Sequence, residues 1–380
     1  MSTIFRCWII ASLSFLFWSS DALSAESNWP GWRGPLGTGV SQQTDLPVEW
    51  NNDNVRWKTS LPGQGQSSPI VWGERIFLTA ADDGGRERLV MCLDRGTGKL
   101  LWQQVAWTGE PEPTHKMNMF ASATCATDGE RVVAFFGRGG IHCFDFEGHE
   151  LWSRDLGKFA GPWGTAASPV LFGDLVIQNC DAEDKASIIG LDKRTGKTVW
   201  ETPRERLRGW STPLLVNMGG QTEVVVNGEH GLNAYNPQTG AALWFSKGDR
   251  GRGTPTVTQF EDLLIAVSGR PGDMWATRPG GSSAANAARE VWRTRRQGGR
   301  YLPSPIVVGK YLVVISLRPG VATCYDANRE GTRQDPTRRK FLRFANRCQR
   351  ACVHSKRNRD CLCAQAWQEA RSRRFQLHSG

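Results

Sequence analysis

From Ser67 to Ala327 the chain alternates short runs rich in Val, Ile, Leu and Phe with Gly, Asp and Asn, and no stretch carries the spacing of an amphipathic helix. Such a pattern predicts antiparallel strands joined by tight turns. Residues 67–102 read as four of them: SSPIVW, ERIFLTA, RLVMCLD and KLLWQQ. The link Asp94-Arg95-Gly96-Thr97-Gly98 has turn chemistry, because Asp bonds its own backbone two residues on and Gly98 can adopt a left-handed conformation. Asp192…Thr195-Gly196 and Asn236…Thr239-Gly240 repeat the device.

The pattern recurs. Trp102, Trp152, Trp200, Trp244 and Trp292 each close a similar unit, at intervals of 50, 48, 44 and 48 residues. Units also open alike, with SSPIV at Ser67, ASPVL at Ala167, STPLL at Ser211, GTPTV at Gly253 and PSPIV at Pro303. A period in this range predicts an all-β fold, a β-propeller of four-stranded antiparallel blades. One large flat indole per unit suits the seam between adjacent sheets, so these Trp residues are expected to be structural. Trp57, in Val55-Arg56-Trp57-Lys58-Thr59, is expected in the outer strand of the last blade, closing the ring.

The A-x-D-x-x-T-G-K-x-x-W style of unit resembles that of the pyrroloquinoline-quinone-like (PQQ-like) β-propellers. That group includes quinoprotein dehydrogenases and BamB-like outer-membrane assembly lipoproteins. The opening NWPGWRGPLGTGVSQQTDLPVEW, followed by NVRWKTSLPGQGQSSPIVW, is similar to secreted PQQ-like propellers of planctomycete bacteria. The resemblance implies about eight blades in an intact relative, of which this chain carries about five and part of a sixth. It is specific for the fold and weak for activity.

Residues 1–25 read as a signal peptide: Arg6 gives a positive start, Cys7 to Trp18 is apolar, and Ser19 to Ala25 is a small-residue exit. The apolar run, about a dozen residues, is too short to span a bilayer. The expected mature protein is periplasmic or secreted and has no transmembrane segment. Residues 26–327 form the propeller. Residues 328–380 differ: they hold 14 Lys and Arg against 4 Asp and Glu, whereas residues 1–327 hold 33 of each. The formal charge of +10 therefore sits entirely in the tail, and no nucleic-acid partner is expected.

The tail reads as frameshifted. Moving one base forward, within the degeneracy of the code, residues 343–354 permit another blade opening, and the stretch after Ala327 permits the missing Thr-Gly turn of the sixth unit. Either this or a genuine basic extension would be disordered. Cys348, Cys352, Cys361 and Cys363 match no common zinc spacing, so no metal is expected. Cys92, Cys143 and Cys324 recur just before the turn and are expected as small buried apolar groups. Spacing assigns no disulfide to Cys125 or Cys180.

Chemistry-bearing motifs are sparse. Gly37-Thr38-Gly39 and Gly137-Arg138-Gly139-Gly140 precede no helix and are turns, not phosphate loops. The quinoproteins of the resembling group need PQQ with Ca²⁺, a base Asp and an adjacent cysteine pair, and this chain has no Cys-Cys pair. Binding candidates lie in loops near the blade openings: His115, Asn118, Trp163, Asp181, Trp210, Arg270 and Arg278. Aromatic and Arg side chains together would suit a carbohydrate, a peptide or an anion. The expected function is a non-catalytic binding or protein-interaction scaffold of the cell envelope, without cofactor. The alternative is a PQQ-dependent quinoprotein oxidoreductase acting on a sugar or alcohol.

Overall fold

The computed structural model describes residues 28–327 except 42, 44–50, 116, 219, 249, 270–272, 280–288, 295–301 and 317–320. The expected signal peptide, the tail and its reading frame, and Arg270 lie outside the described residues. Strands pair antiparallel and in sequence order. Sheet 1 comprises β1 (Ile70–Trp72), β2 (Arg75–Asp82), β3 (Glu87–Asp94) and β4 (Leu100–Thr108). Sheet 2 follows with β5 (Ala126–Thr127), β6 (Arg131–Phe135), β7 (Ile141–Asp145) and β8 (Glu150–Arg154). Sheet 3 holds β9 (Val170–Phe172), β10 (Leu175–Asn179), β11 (Ser187–Asp192) and β12 (Thr198–Pro203). Sheet 4 holds β13 (Leu214–Met218), β14 (Gln221–Asn227), β15 (Gly231–Tyr235) and β16 (Ala242–Lys247). Sheet 5 holds β17 (Thr258–Phe260), β18 (Leu263–Val267), β19 (Met274–Arg278) and β20 (Arg289–Thr294). Sheet 6 has three described strands, β21 (Ile306–Val308), β22 (Tyr311–Ser316) and β23 (Val321–Asp326). The result is an all-β propeller.

Its core is a series of seams. Val133, Phe135 and Trp152 of sheet 2 pack with Val176 and Leu191 of sheet 3, and Val225 and Trp244 of sheet 4 with Leu264 and Trp275 of sheet 5. Trp102, Trp152 and Trp200 each reach across a seam to the next sheet's turn. The indole N–H of Trp102 donates to Phe146 O at 2.8 Å, that of Trp152 to Lys193 O at 2.9 Å, and that of Trp200 to Pro237 O at 3.1 Å. The ring lies over the turn glycine. Gly148 and Gly196 have φ of 92° and 67°, and a Cβ there would come within 2.8 Å of Trp102 and 2.5 Å of Trp152. Left-handed backbone and a ring overhead both require glycine.

Val55–Thr59 forms no strand, contrary to expectation. Nevertheless Trp57 Nε1 donates to Arg95 O at 2.9 Å and its ring covers Gly98, so it stands to sheet 1 as Trp102 stands to sheet 2. Docking onto a turn needs one indole; a ladder needs a neighbouring strand, and none is described beside it.

The first strands line a hub, with β5 beside β9 and β17 beside β21. Hydroxyls in the opening motifs link them. Ser68 N donates to Thr124 Oγ1 at 3.0 Å, and Thr124 N to Ser168 Oγ at 2.9 Å. Ser168 N donates in turn to Thr212 Oγ1 at 2.9 Å, and Thr256 N to Ser304 Oγ at 2.9 Å. Cys92, Cys125, Cys143 and Cys180 are buried free thiols. Among the described residues, no helix is long and apolar enough to cross a membrane.

Candidate binding site at the loop end of the hub

Loops that carry the chain from an outer strand to the next inner strand gather at one end of the hub. Four of the candidates expected from sequence meet there, around Trp163. Asn118 Nδ2 donates to Trp163 O at 2.7 Å, and the His115 ring lies 4.9 Å from the Trp163 ring. Trp210 closes the other side, its indole N–H donating to Gly164 O at 2.8 Å and its backbone N–H to Gly253 O at 3.1 Å. Two guanidinium groups flank the Trp163 ring, Arg252 at 5.3 Å and Arg208 at 5.9 Å, within cation–π range. The buried Nε1 of Trp163 has no acceptor among the described groups. A cleft of about 20 Å³ opens between residues 159–165, 181–183 and 208–210, room for a water-sized group.

Asp181 borders this cleft, but its carboxylate is consumed. Arg204 donates to it twice, at 2.7 and 3.0 Å, and gives a third bond to Tyr235 Oη at 2.6 Å. The Arg204 and Asp181 side chains are only 6% and 4% exposed. Burial opposes the Arg204 charge, yet the charge and hydrogen bonds of Asp181 outweigh it and raise the guanidinium above its ordinary value. Burial likewise pushes the Tyr235 phenol up. The pair braces sheet 3, and the bond from Arg204 to Tyr235 ties it to sheet 4. Glu183 and Arg208 form a second, partly exposed ion pair over the cleft.

Arg278 is elsewhere. It ends β19 at the turn end of sheet 5 and pairs with Asp262 of the β17–β18 turn, not with the Trp163 cluster. The direction of the strand and the residue's place along it set which end of a sheet it occupies, and proximity to a loop in sequence does not. Arg204, Arg208, Glu183 and Arg252 were not anticipated. Their signal was positional: Arg208 and Arg252 each precede a blade opening, as Trp163 does.

The loop bearing His115 and Asn118 is anchored from beneath. Arg88, fully buried, donates to Glu112 Oε2 at 2.7 Å between the rings of Trp107 and Phe120, 5.0 and 4.6 Å from its guanidinium carbon. Burial lowers its pKa, and Glu112 opposes the shift.

A quinone with Ca²⁺ needs carboxylate and amide oxygens converging beside it. Around Trp163 the carboxylates of Asp181 and Glu183 are each held by an arginine, and Asn118 turns its amide N–H₂ to a backbone carbonyl. Among the described residues no three His, Cys, Asp or Glu side chains are grouped to hold an ion. This donor set does not fit the calcium-bound quinone.

Comparison with known proteins places the fold. The quinoprotein alcohol dehydrogenase PedH of Pseudomonas putida is 26% identical over 265 residues, covering 63% of this chain and 35% of that protein. An outer membrane protein assembly factor BamB, from Alkalilimnicola ehrlichii, is 26% identical over 185 residues, covering 47% of this chain and 42% of the other. The chain thus spans less than half the length of either relative. The crystal structure of quinohemoprotein alcohol dehydrogenase from Comamonas testosteroni superposes with a TM-score of 0.54 at 11% identity, over 78% of this chain and 58% of that one. That likeness concerns the fold alone. The family model described as outer membrane protein assembly factor BamB matches residues 38–114 and 86–334. With its repeated sheets and most of its length inside that match, the chain belongs to the BamB-like family of PQQ-like repeat proteins.

Proposed function

We propose that this protein is an exported, non-catalytic propeller of the cell envelope that binds a partner at the Trp163 end of its hub. The observation that carries the reading is the pairing of Asp181 and Glu183 with Arg204 and Arg208, beside an indole flanked by Arg252 and His115. Such a site offers π-faces and cations, which suit peptide, carbohydrate or envelope-protein contacts, and it commits its carboxylates to holding loops in place. Export is supported by the leader-like residues 1–25, and an envelope partner by the assembly role named for BamB relatives.

The test is capture from detergent-solubilised envelopes with the mature protein and with Trp163→Ala. Envelope proteins retained by the first and lost by the second support the reading; equal capture by both counts against it. Quinoprotein oxidoreductase activity on a sugar or alcohol is the second reading, favoured by the likeness to PedH over 63% of the chain. Quinone absorbance and dye reduction on adding PQQ with Ca²⁺ would establish it and displace the first.

A further inference from the structure

Residues 28–39 run through the hub, and no expectation from sequence gave them a role beyond resemblance. Their path can be followed by hydrogen bonds. Trp29 and Val71 exchange backbone bonds of 2.7 and 2.9 Å, which places the segment on the free, hub-facing edge of β1. Asn28 Oδ1 accepts from Gly73 N at 2.8 Å, and Pro30 O accepts from Thr127 N of sheet 2 at 2.8 Å. Across the hub, Trp32 Nε1 donates to Thr256 Oγ1 at 3.3 Å, and Arg33 Nη2 to Pro305 O at 2.6 Å. These acceptors stand just ahead of β17 and β21. The segment therefore touches the first two sheets at one end and the fifth and sixth at the other.

It is also preformed. Gly34 N bonds Gly31 O at 3.0 Å, Gly37 N bonds Gly34 O at 3.1 Å, and Gly39 N bonds Arg33 O at 2.8 Å. Arg33 itself sits at φ 65°, a left-handed conformation unfavourable for a residue with a Cβ, and its guanidinium bonds to Pro305 and Thr38 carbonyls hold it there. Strand addition at one end, and side-chain donors to carbonyl and hydroxyl acceptors at the other, is how a protein binds a peptide.

We propose that the hub is a peptide-binding surface occupied by the chain's own residues 28–39, an internal clasp that ties sheets 1 and 2 to sheets 5 and 6 through Trp32 and Arg33. The clasp crosses the hub from sheets 1 and 2 to sheets 5 and 6. Thr256 also lies four residues from Arg252, so the clasp and the Trp163 cluster share one loop.

The experiment uses the full chain with a specific protease site inserted after Ser41, cut under native conditions and run on gel filtration. The severed N-terminal piece is expected to co-elute with the propeller. In a Trp32→Phe, Arg33→Met variant, which keeps bulk and removes both donors, its dissociation should be about tenfold faster or more, the loss of two ordinary hydrogen bonds. Leu36→Ala, at a side chain 70% exposed, should leave retention unchanged. Far-ultraviolet circular dichroism of each uncut variant establishes that it folds; if the donor variant does not, Trp32→Phe alone is carried through. Release of the severed piece from the wild-type propeller, or equal retention by the donor variant and Leu36→Ala, overturns the proposal.

Discussion

The indole N–H of Trp244 donates to the carboxylate of Glu223, 2.7 Å away within its own sheet, where Trp57, Trp102, Trp152, Trp200 and Trp292 each donate to a backbone carbonyl beyond it. The fifth unit lacks the Asp-x-x-Thr-Gly turn, so a carboxylate on β14 supplies the acceptor. Burial pushes the Glu223 carboxyl above its ordinary value of 4.5, and the bond from Trp244 only partly opposes this. The folded state thus favours the protonated form. Its contribution is complete below the ordinary value and is lost as pH rises through the higher folded one. Glu223→Gln keeps an acceptor for Trp244 without a charge. Thermal melts should show the variant more stable than wild type at pH 7 and equal to it below pH 4.5; a variant that is less stable at neutral pH would mean the charge itself supports the indole.

Glycine beneath the docked indole is a stricter requirement than glycine in a free turn. Gly173 and Gly196 both have positive φ, 56° and 67°, but a Cβ at Gly173 meets nothing and one at Gly196 meets Trp152 at 2.5 Å. Gly173→Ala should cost only the backbone strain, about 1–2 kcal/mol. Gly196→Ala should cost a further 1–3 kcal/mol or so, because Trp152 must leave its seam. Urea unfolding of the two variants side by side measures the difference.

Asp181→Ala should be among the most damaging single changes in sheet 3. It strands the Arg204 guanidinium in a buried setting, a loss of about 3–5 kcal/mol. Glu183→Ala breaks an ion pair about a third exposed and should cost below about 1 kcal/mol. The same denaturant series resolves them.

Four described thiols should resist modification until the propeller unfolds. Burial pushes Cys92 up to about 11 and Cys125 and Cys143 up to about 12, and it raises Cys180 further. At pH 8 thiolate is therefore scarce as well as inaccessible. A thiol reagent added to folded protein should react with none of these positions on peptide mapping, and with all of them in denaturant.

Repetition made the fold legible. The closing Trp, the Thr-Gly turn and the Ser/Thr-Pro opening recur because each seam repeats one packing problem. The strands of sheet 1 fall where the apolar runs stand. The site was legible only in part: His115, Asn118, Trp163 and Trp210 lie in irregular loops ahead of openings, and those loops converge. Asp181 was near but differently employed, because a buried arginine 23 residues away claims its carboxylate. Nothing local to Arg278 says that it faces Asp262 at the far end of the sheet. Arg252 meets Trp163 across about 90 residues of chain, a closeness that comes from the radial arrangement of the sheets around one hub.

The hydroxyl links around the hub all point the same way, each backbone N–H toward the following sheet. The same coupling joins sheets 1 to 4 in series and sheet 5 to sheet 6, like identical couplings on railway cars. Stability in such an array accrues by nearest-neighbour terms. A unit could be added or lost at the level of the gene without redesigning the others, since the couplings on either side already match. The exception is Thr256, whose hydroxyl receives Trp32. At that link the number of cars is no longer arbitrary, because the clasp has a fixed length and must still reach.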